Sequence, residues 1–227
     1  MQITESRLMI MSIKMLTFNS RAEWLKARKN YIGGSDASSI VGMNPYRSNV
    51  DLWQEKTGLI VPEDISDKPY VKFGHDAEPL MRELFKLDFP EYQVFYEENN
   101  MFLNDKYPWG HYSADGWLID AEGRWGIYEG KTTEILKSQQ KEKWNKRLPD
   151  NYYIQLIHGF LITDAEFAIL KGRLKSVIDG MPYIQIKHHP IDRAEVEEDI
   201  EYLAKKEESF WRYVLNKKEP PLILPEF

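Results

Sequence analysis

The sequence predicts an α/β (α+β) sandwich built around one mixed β-sheet. Helical patterns dominate positions 20 to 89, strand-like runs punctuated by turn residues follow from 93 to 132, and helix, strand and helix patterns close the chain. Hydrophobic residues make up 42% and aromatics 13%, which excludes a disordered chain. The 227 residues are read as a single domain, 1–227, in which 1–19 is a leader or first strand.

Each element has a local reason. Ser20-Arg21-Ala22-Glu23 is a capping box opening a helix that carries Trp24, Leu25 and Arg28, and Gly33-Gly34 must stop it. Ser35 or Asp36 then caps a short second helix. A helix N-terminus beside an arginine can take a phosphate, although an ordinary cap with a surface arginine is the commoner outcome. Asn49 caps a third helix that Gly58 ends. From Tyr70 to Phe89 the apolar residues keep helical spacing, but Pro79 interrupts them. Proline in a helix interior costs about 3 kcal/mol, so the pattern predicts a kink near Glu78 or a helix that begins there. Positions 93–98 and 101–104 read as strands joined at Asn99-Asn100, which with the next hairpin predicts a consecutive antiparallel meander over 93–132. Asp150 caps a helix whose apolar face carries Ile154, Ile157, His158 and Leu161, while Tyr152 and Gln155, three apart, share another face. Positions 167–170 and 183–187 are late strands, and 192–195 is a capping pattern for a long charged helix running to about Asn216.

Composition narrows the setting. There is no cysteine, so a disulfide framework and a thiolate metal site are both excluded, and an intracellular location is the natural one. The N-terminal apolar run lacks the basic flank and small-residue cleavage site of a signal peptide, and no stretch reaches the roughly 18 apolar residues that span a bilayer. The net charge of −6 counts against a nucleic-acid partner. Screening confines charge effects to about 8–10 Å, however, so local patches decide. One lies at Lys137, Lys141, Lys143, Lys146 and Arg147, another at Arg21, Lys26, Arg28 and Lys29.

The chemistry concentrates in Tyr112 to Lys131, YSADGWLIDAEGRWGIYEGK. Asp120-Ala121-Glu122-Gly123 is turn chemistry between two strands, and on the second strand Ile127, Glu129 and Lys131 share a face. If Asp115 lies at the open end of the first strand, two carboxylates and an ammonium converge. Crowded carboxylates repel, so the cluster implies either a cation or a solvated hairpin, and for an arbitrary D…ExK the solvated hairpin is the commoner case. Glu78 can supply a third carboxylate. A hard divalent ion such as Mg²⁺ would suit these oxygens and activate a water toward a phosphodiester.

Five pieces in order resemble the phage lambda exonuclease and YqaJ-type viral recombinase family, a branch of the PD-(D/E)xK nucleases. They are Arg28 with Gly33-Gly34-Ser35-Asp36-Ala37-Ser38, then Gly74-His75-Asp76-Ala77-Glu78-Pro79, Ser113-Ala114-Asp115-Gly116, Glu129-Gly130-Lys131, and Tyr152-Tyr153-Ile154-Gln155, spread over residues 20 to 175. The resemblance implies a nuclease core in which Asp115, Glu129 and the Gly130 carbonyl hold one Mg²⁺ and Glu78 with Asp115 a second, Mn²⁺ substituting. It assigns Lys131 to the attacking water, Gln155 to the water or Lys131, and Tyr152 beside them. Arg28, Ser35 and Ser113 match positions that grip a 5′-phosphate, with Lys137 a further contact where an arginine would be expected. Implied with this are 5′-to-3′ digestion of linear double-stranded DNA leaving 3′ single strands for recombination, a homotrimer around DNA, a phage-type single-strand annealing partner, and the cytoplasm of a bacterial or phage-infected cell. The alternatives are an endonuclease or repair-type enzyme of the same fold, or a catalytically silent DNA-binding subunit. The histidines show no metal-ligand spacing, and the tryptophans are read as core or subunit-contact residues, with Trp109 and Trp144 placed to border a DNA groove.

Overall fold

The computed structural model describes residues 13–224. Its elements run β1 (Ile13–Thr17), α1 (Arg21–Arg28), α2 (Gly34–Ile40), α3 (Asn49–Lys56), α4 (Pro69–Asp88), β2 (Gln93–Phe95), β3 (Asn100–Asn104), β4 (His111–Tyr112), β5 (Gly116–Ile119), β6 (Trp125–Glu134), α5 (Ser138–Lys146), α6 (Asp150–Thr163), β7 (Phe167–Ile178), β8 (Met181–Asp192) and α7 (Glu197–Leu215). The expected leader or first strand over 1–19 is met from Ile13 onward, where a strand stands; residues 1–12 lie outside the described part.

The strands form two sheets, in orders β1-β3-β4 and β2-β5-β6-β7-β8. Every pairing is antiparallel except β6 with β7, whose parallel register runs from Gly126↔Phe167 to Glu134↔Lys175. A parallel neighbour needs a crossover, and α5 and α6 supply it. Helix α6 is buried almost all round, with Leu156, Ile157 and Phe160 fully inaccessible, so it is the central member of the main core.

The expected meander over 93–132 is corrected, because β2 and β3 belong to different sheets. Asn99 turns the chain through the left-handed region at φ 54, and the buried Asn100 side chain clamps Ala114, donating to its carbonyl and accepting from its amide at 2.8 Å each. That clamp delivers the chain to β1 instead of continuing beside β2. The expectation at Pro79 is also corrected: α4 starts at Pro69 and continues through Pro79. Its buried face, Ala77, Met81, Arg82 and Phe85, holds the helix together across the lost hydrogen bond.

Four caps differ from the sequence reading; at α6 Pro149 stands at the cap and Asp150 is the first residue inside the helix, where its carboxylate faces the positive end of the dipole. Gly33, not Ser35 or Asp36, caps α2, and the Asp36 carboxylate accepts from the Gly33 amide at 3.0 Å. Ser48 caps α3, which frees Asn49 to accept from Ile223 and donate to the Pro221 carbonyl. Asp192 caps a short 3₁₀ turn ahead of α7. Finally, β7 and β8 are 12 residues each, far longer than expected, joined at Asp179-Gly180 with both residues at positive φ. Among the described residues no helix is long and apolar enough to cross a membrane.

Candidate active site

The site forms where β5 and β6 meet α4 and α6. Asp120 accepts from the amides of Glu122 and Arg124 and so closes the β5–β6 turn, with Gly123 at φ 78. The resulting register pairs Gly116 with Tyr128, which leaves Asp115 beside the continuing β6 strand. There the Gly130 amide donates to Asp115 Oδ2 at 2.9 Å. Arg82 of α4 donates to the Asp115 carbonyl at 2.7 Å, and Asn100 holds the residue before it.

Glu129 is buried and saturated with donors. Its Oε1 accepts from Lys131 Nζ at 2.7 Å and from Gln155 Nε2 at 2.5 Å, and its Oε2 accepts from the Tyr112 hydroxyl at 2.5 Å. Gln155 therefore meets the glutamate, where the sequence reading had it meet water or Lys131. Tyr152 lies behind Lys131, whose Nζ sits 5.5 Å from its ring centre, and packs on Trp144; it does not line the cavity. Glu78 lies across from these groups on α4, with Arg82 Nη1 at 3.6 Å.

Glu78, Asp115, Glu129, Lys131 and Gln155 line one cleft of about 660 Å³. Arg28, Ser35 and Ser113, the three residues matched to a 5′-phosphate grip, line the same cleft. Ser113 accepts from the Trp24 indole at 3.1 Å, and the Arg28 guanidinium stacks 4.3 Å over the Trp24 ring. Lys137 is exposed at the start of α5 and is not among the lining residues, so the structure does not bring it to this cleft. Trp144 is buried against Gly172, which removes it as a groove residue, and the Trp109 indole donates to Glu207.

Electrostatics in the cleft are unbalanced. Burial, with Glu129 and Glu78 nearby, pushes the Asp115 carboxyl well above the usual carboxylate range, and Glu78 is raised by burial against the pull of Arg82. Lys131 is held up as an ammonium because Glu129 and Asp115 outweigh its burial. Burial lowers the Arg28 guanidinium, an effect Asp36 opposes and Arg21 reinforces. Among the described residues no three acidic or imidazole groups stand as a ready-made ligand cluster. The donor set still fits a hard divalent cation. It offers only oxygens, and the two raised carboxyls share one cleft in which added positive charge would restore their ionised forms.

Sequence reasoning missed Tyr112, Arg82 and Asn100. Arg82 carried a signal, since it lies one helical turn from Glu78. Tyr112 and Asn100 carried none, because their partners are distant in sequence.

A mixed sheet with an Asp…Glu-x-Lys set at the edge of its β5–β6 pair, crossed by a buried helix, is a fold of the PD-(D/E)xK type. The chain belongs to the YqaJ-like viral recombinase domain family, whose profile matches residues 23–166. It is 28% identical over 208 residues to the uncharacterized protein YqaJ of Bacillus subtilis, covering 89% of this chain and 59% of that protein's length. In fold it is similar to an alkaline exonuclease from Laribacter hongkongensis, with a TM-score of 0.61 at 15% identity over 86% of this chain and 93% of that one. A phage-related exonuclease from Haemophilus somnus gives a TM-score of 0.52 at 12% identity, covering 82% of this chain and 96% of the other.

Proposed function

We propose that this protein is a divalent-metal-dependent nuclease that digests one strand of linear duplex DNA from its 5′ end. The observation that carries the reading is the convergence in one cleft of Glu78, Asp115, Glu129, Lys131 and Gln155 with Arg28, Ser35 and Ser113. A Mg²⁺ ion held by Asp115, Glu129 and the Gly130 carbonyl, and a second by Glu78 with Asp115, would supply Lewis-acid activation of water and phosphate, with Mn²⁺ as a substitute. The chain's own groups do the rest. Lys131, an ammonium, donates hydrogen bonds and offsets charge developing on the phosphate oxygens. Gln155 and Tyr152 hold Lys131 and Glu129 in place from α6. Arg28, Ser35 and Ser113 suit a terminal phosphate, which would place the first scissile bond over the carboxylates. The Laribacter fold relative has been solved in complex with dAMP, a nucleotide of the kind this reaction releases. The same reading includes a homotrimer encircling DNA and an annealing protein as consumer of the 3′ strand.

The test uses linear duplexes with 5′-phosphate or 5′-hydroxyl ends, incubated with Mg²⁺ and the wild type or Lys131→Ala. Mononucleotide release by the wild type from phosphorylated ends, and none by the variant, is expected. Covalently closed circles should remain uncut. No mononucleotides from the wild type, or equal activity in the variant, would sink the reading.

A further inference from the structure

Three donors hold Glu129, and they differ in what happens when the cleft fills. Lys131 and Gln155 reach it from the cleft lining, where a phosphate would compete for their hydrogen bonds. Tyr112 lines the same cleft but is only 1% exposed. Its ring is wedged between glycines of two helices. A Cβ on Gly34 of α2 would stand 3.2 Å from ring atom Cε2, and one on Gly159 of α6 would stand 3.1 Å from it. Gly34 adjoins Ser35, and Gly159 lies one turn beyond Gln155. A phenol confined in this way has one place for its hydroxyl, and that place is on Glu129 Oε2.

We propose that Tyr112 is a positioning residue for the metal site: its hydroxyl fixes the Glu129 carboxylate so that Oε1 stays presented to a divalent cation after Lys131 and Gln155 turn to substrate. The inference rests on the metal-dependent reading above. The two glycines also face Gln155 and Ile127, whose side chains would stand 3.0 Å and 2.8 Å from a Cβ at Gly34 and Gly159, so the ring is one of the neighbours that keep these positions small.

Tyr112→Phe keeps the ring between the glycines and removes only the hydroxyl. Mn²⁺ titration by calorimetry on wild type and variant, beside thermal unfolding without metal, separates the possibilities. An outer-shell hydrogen bond to a ligand typically contributes ten- to a hundredfold in affinity, so the Mn²⁺ Kd of the variant should weaken by about that factor. The turnover rate should fall while the KM for DNA ends holds, because Tyr112 does not touch substrate. A variant whose Kd stays within about twofold of wild type, or tightens, overturns the inference even if its melting temperature falls, and leaves the nuclease reading standing. A wild type that takes up no Mn²⁺ overturns both.

Discussion

Two buried polar clusters meet helix α6 one turn apart, at Gln155 and His158, and they are built on opposite principles. In one, His158 and Glu207, both fully inaccessible, form a closed set: Nδ1 meets Glu207 Oε1 at 2.6 Å, Nε2 meets the His111 carbonyl at 2.8 Å, and Glu207 Oε2 accepts from the Trp109 indole. In the other, Glu78, Asp115 and Glu129 crowd like charges into an open cleft. The first cluster satisfies its members and ties α6 to α7. The second leaves repulsion unrelieved, which the protein tolerates only where something else is meant to enter. Burial of charge is common to both clusters; charge left uncompensated belongs only to the proposed site.

The comparison can be broken at several points, taken from the largest expected effect downward. Glu207→Ala leaves a buried imidazole and indole without their partner, and breaking a buried pair costs about 3–5 kcal/mol, to be read as a lower denaturation midpoint in guanidinium. Lys131→Ala should reduce DNA cleavage by about 10²–10³-fold, the usual loss for one transition-state donor, and also lower the midpoint, because the buried Glu129 loses its cation. Asp115→Asn should abolish cleavage too, yet raise the metal-free midpoint at pH above the raised Asp115 value, where the wild-type carboxylate would be ionised beside like charges.

Proton linkage gives the two clusters different signatures. The Asp115 carboxyl titrates higher in the folded chain than in the unfolded one, through burial, Glu129 and Glu78. Folding therefore favours its protonated form, and stability is lost as pH rises from about 4 through the raised value. His158 is also raised, since Glu207 and the His111 carbonyl outweigh its burial. Its contribution is complete below about pH 6.5 and is lost as pH rises through its folded value. Midpoints from pH 4 to 9 for wild type, Asp115→Asn and His158→Gln should resolve the two windows, and added Mn²⁺ should restore only the Asp115 one. An equal rescue of both would show that the clusters are not independent. The smallest effect expected is at Gly123, which sits at φ 78 far from His158 and Glu207. Gly123→Ala should lower the midpoint by about 1 kcal/mol without changing the Mn²⁺ response, so any loss of metal binding there would mean that the hairpin turn sets the Asp115 position.

Much of the site was legible because its spacing is local. Glu129 and Lys131 alternate on one strand, Asp120 and Gly123 mark the turn that brings Asp115 beside them, and Tyr152 and Gln155 share a helix face. The β7–β8 hairpin was legible too, since Asp179-Gly180 is a strong turn signal between β-prone runs, but the sequence reading stopped short of it. The split of β2 and β3 between sheets was not, because it depends on the Asn100 clamp on Ala114, fourteen residues away. Nor was the continuity of α4 through Pro79, where packing of the buried face overrides local propensity.

The sequence by itself determined the αβ class, the β5–β6 turn and the face that Glu129 and Lys131 share, because these follow from backbone periodicity and turn chemistry over a few residues. Only the tertiary structure decided what each carboxylate meets. Tyr112 reaches Glu129 across two sheets, Arg82 reaches the Asp115 carbonyl from a helix, and Glu207 closes on His158 from another, and no period in the chain encodes such contacts. Charge can be read from residues, but whether it is compensated depends on neighbours that folding alone brings within hydrogen-bonding distance.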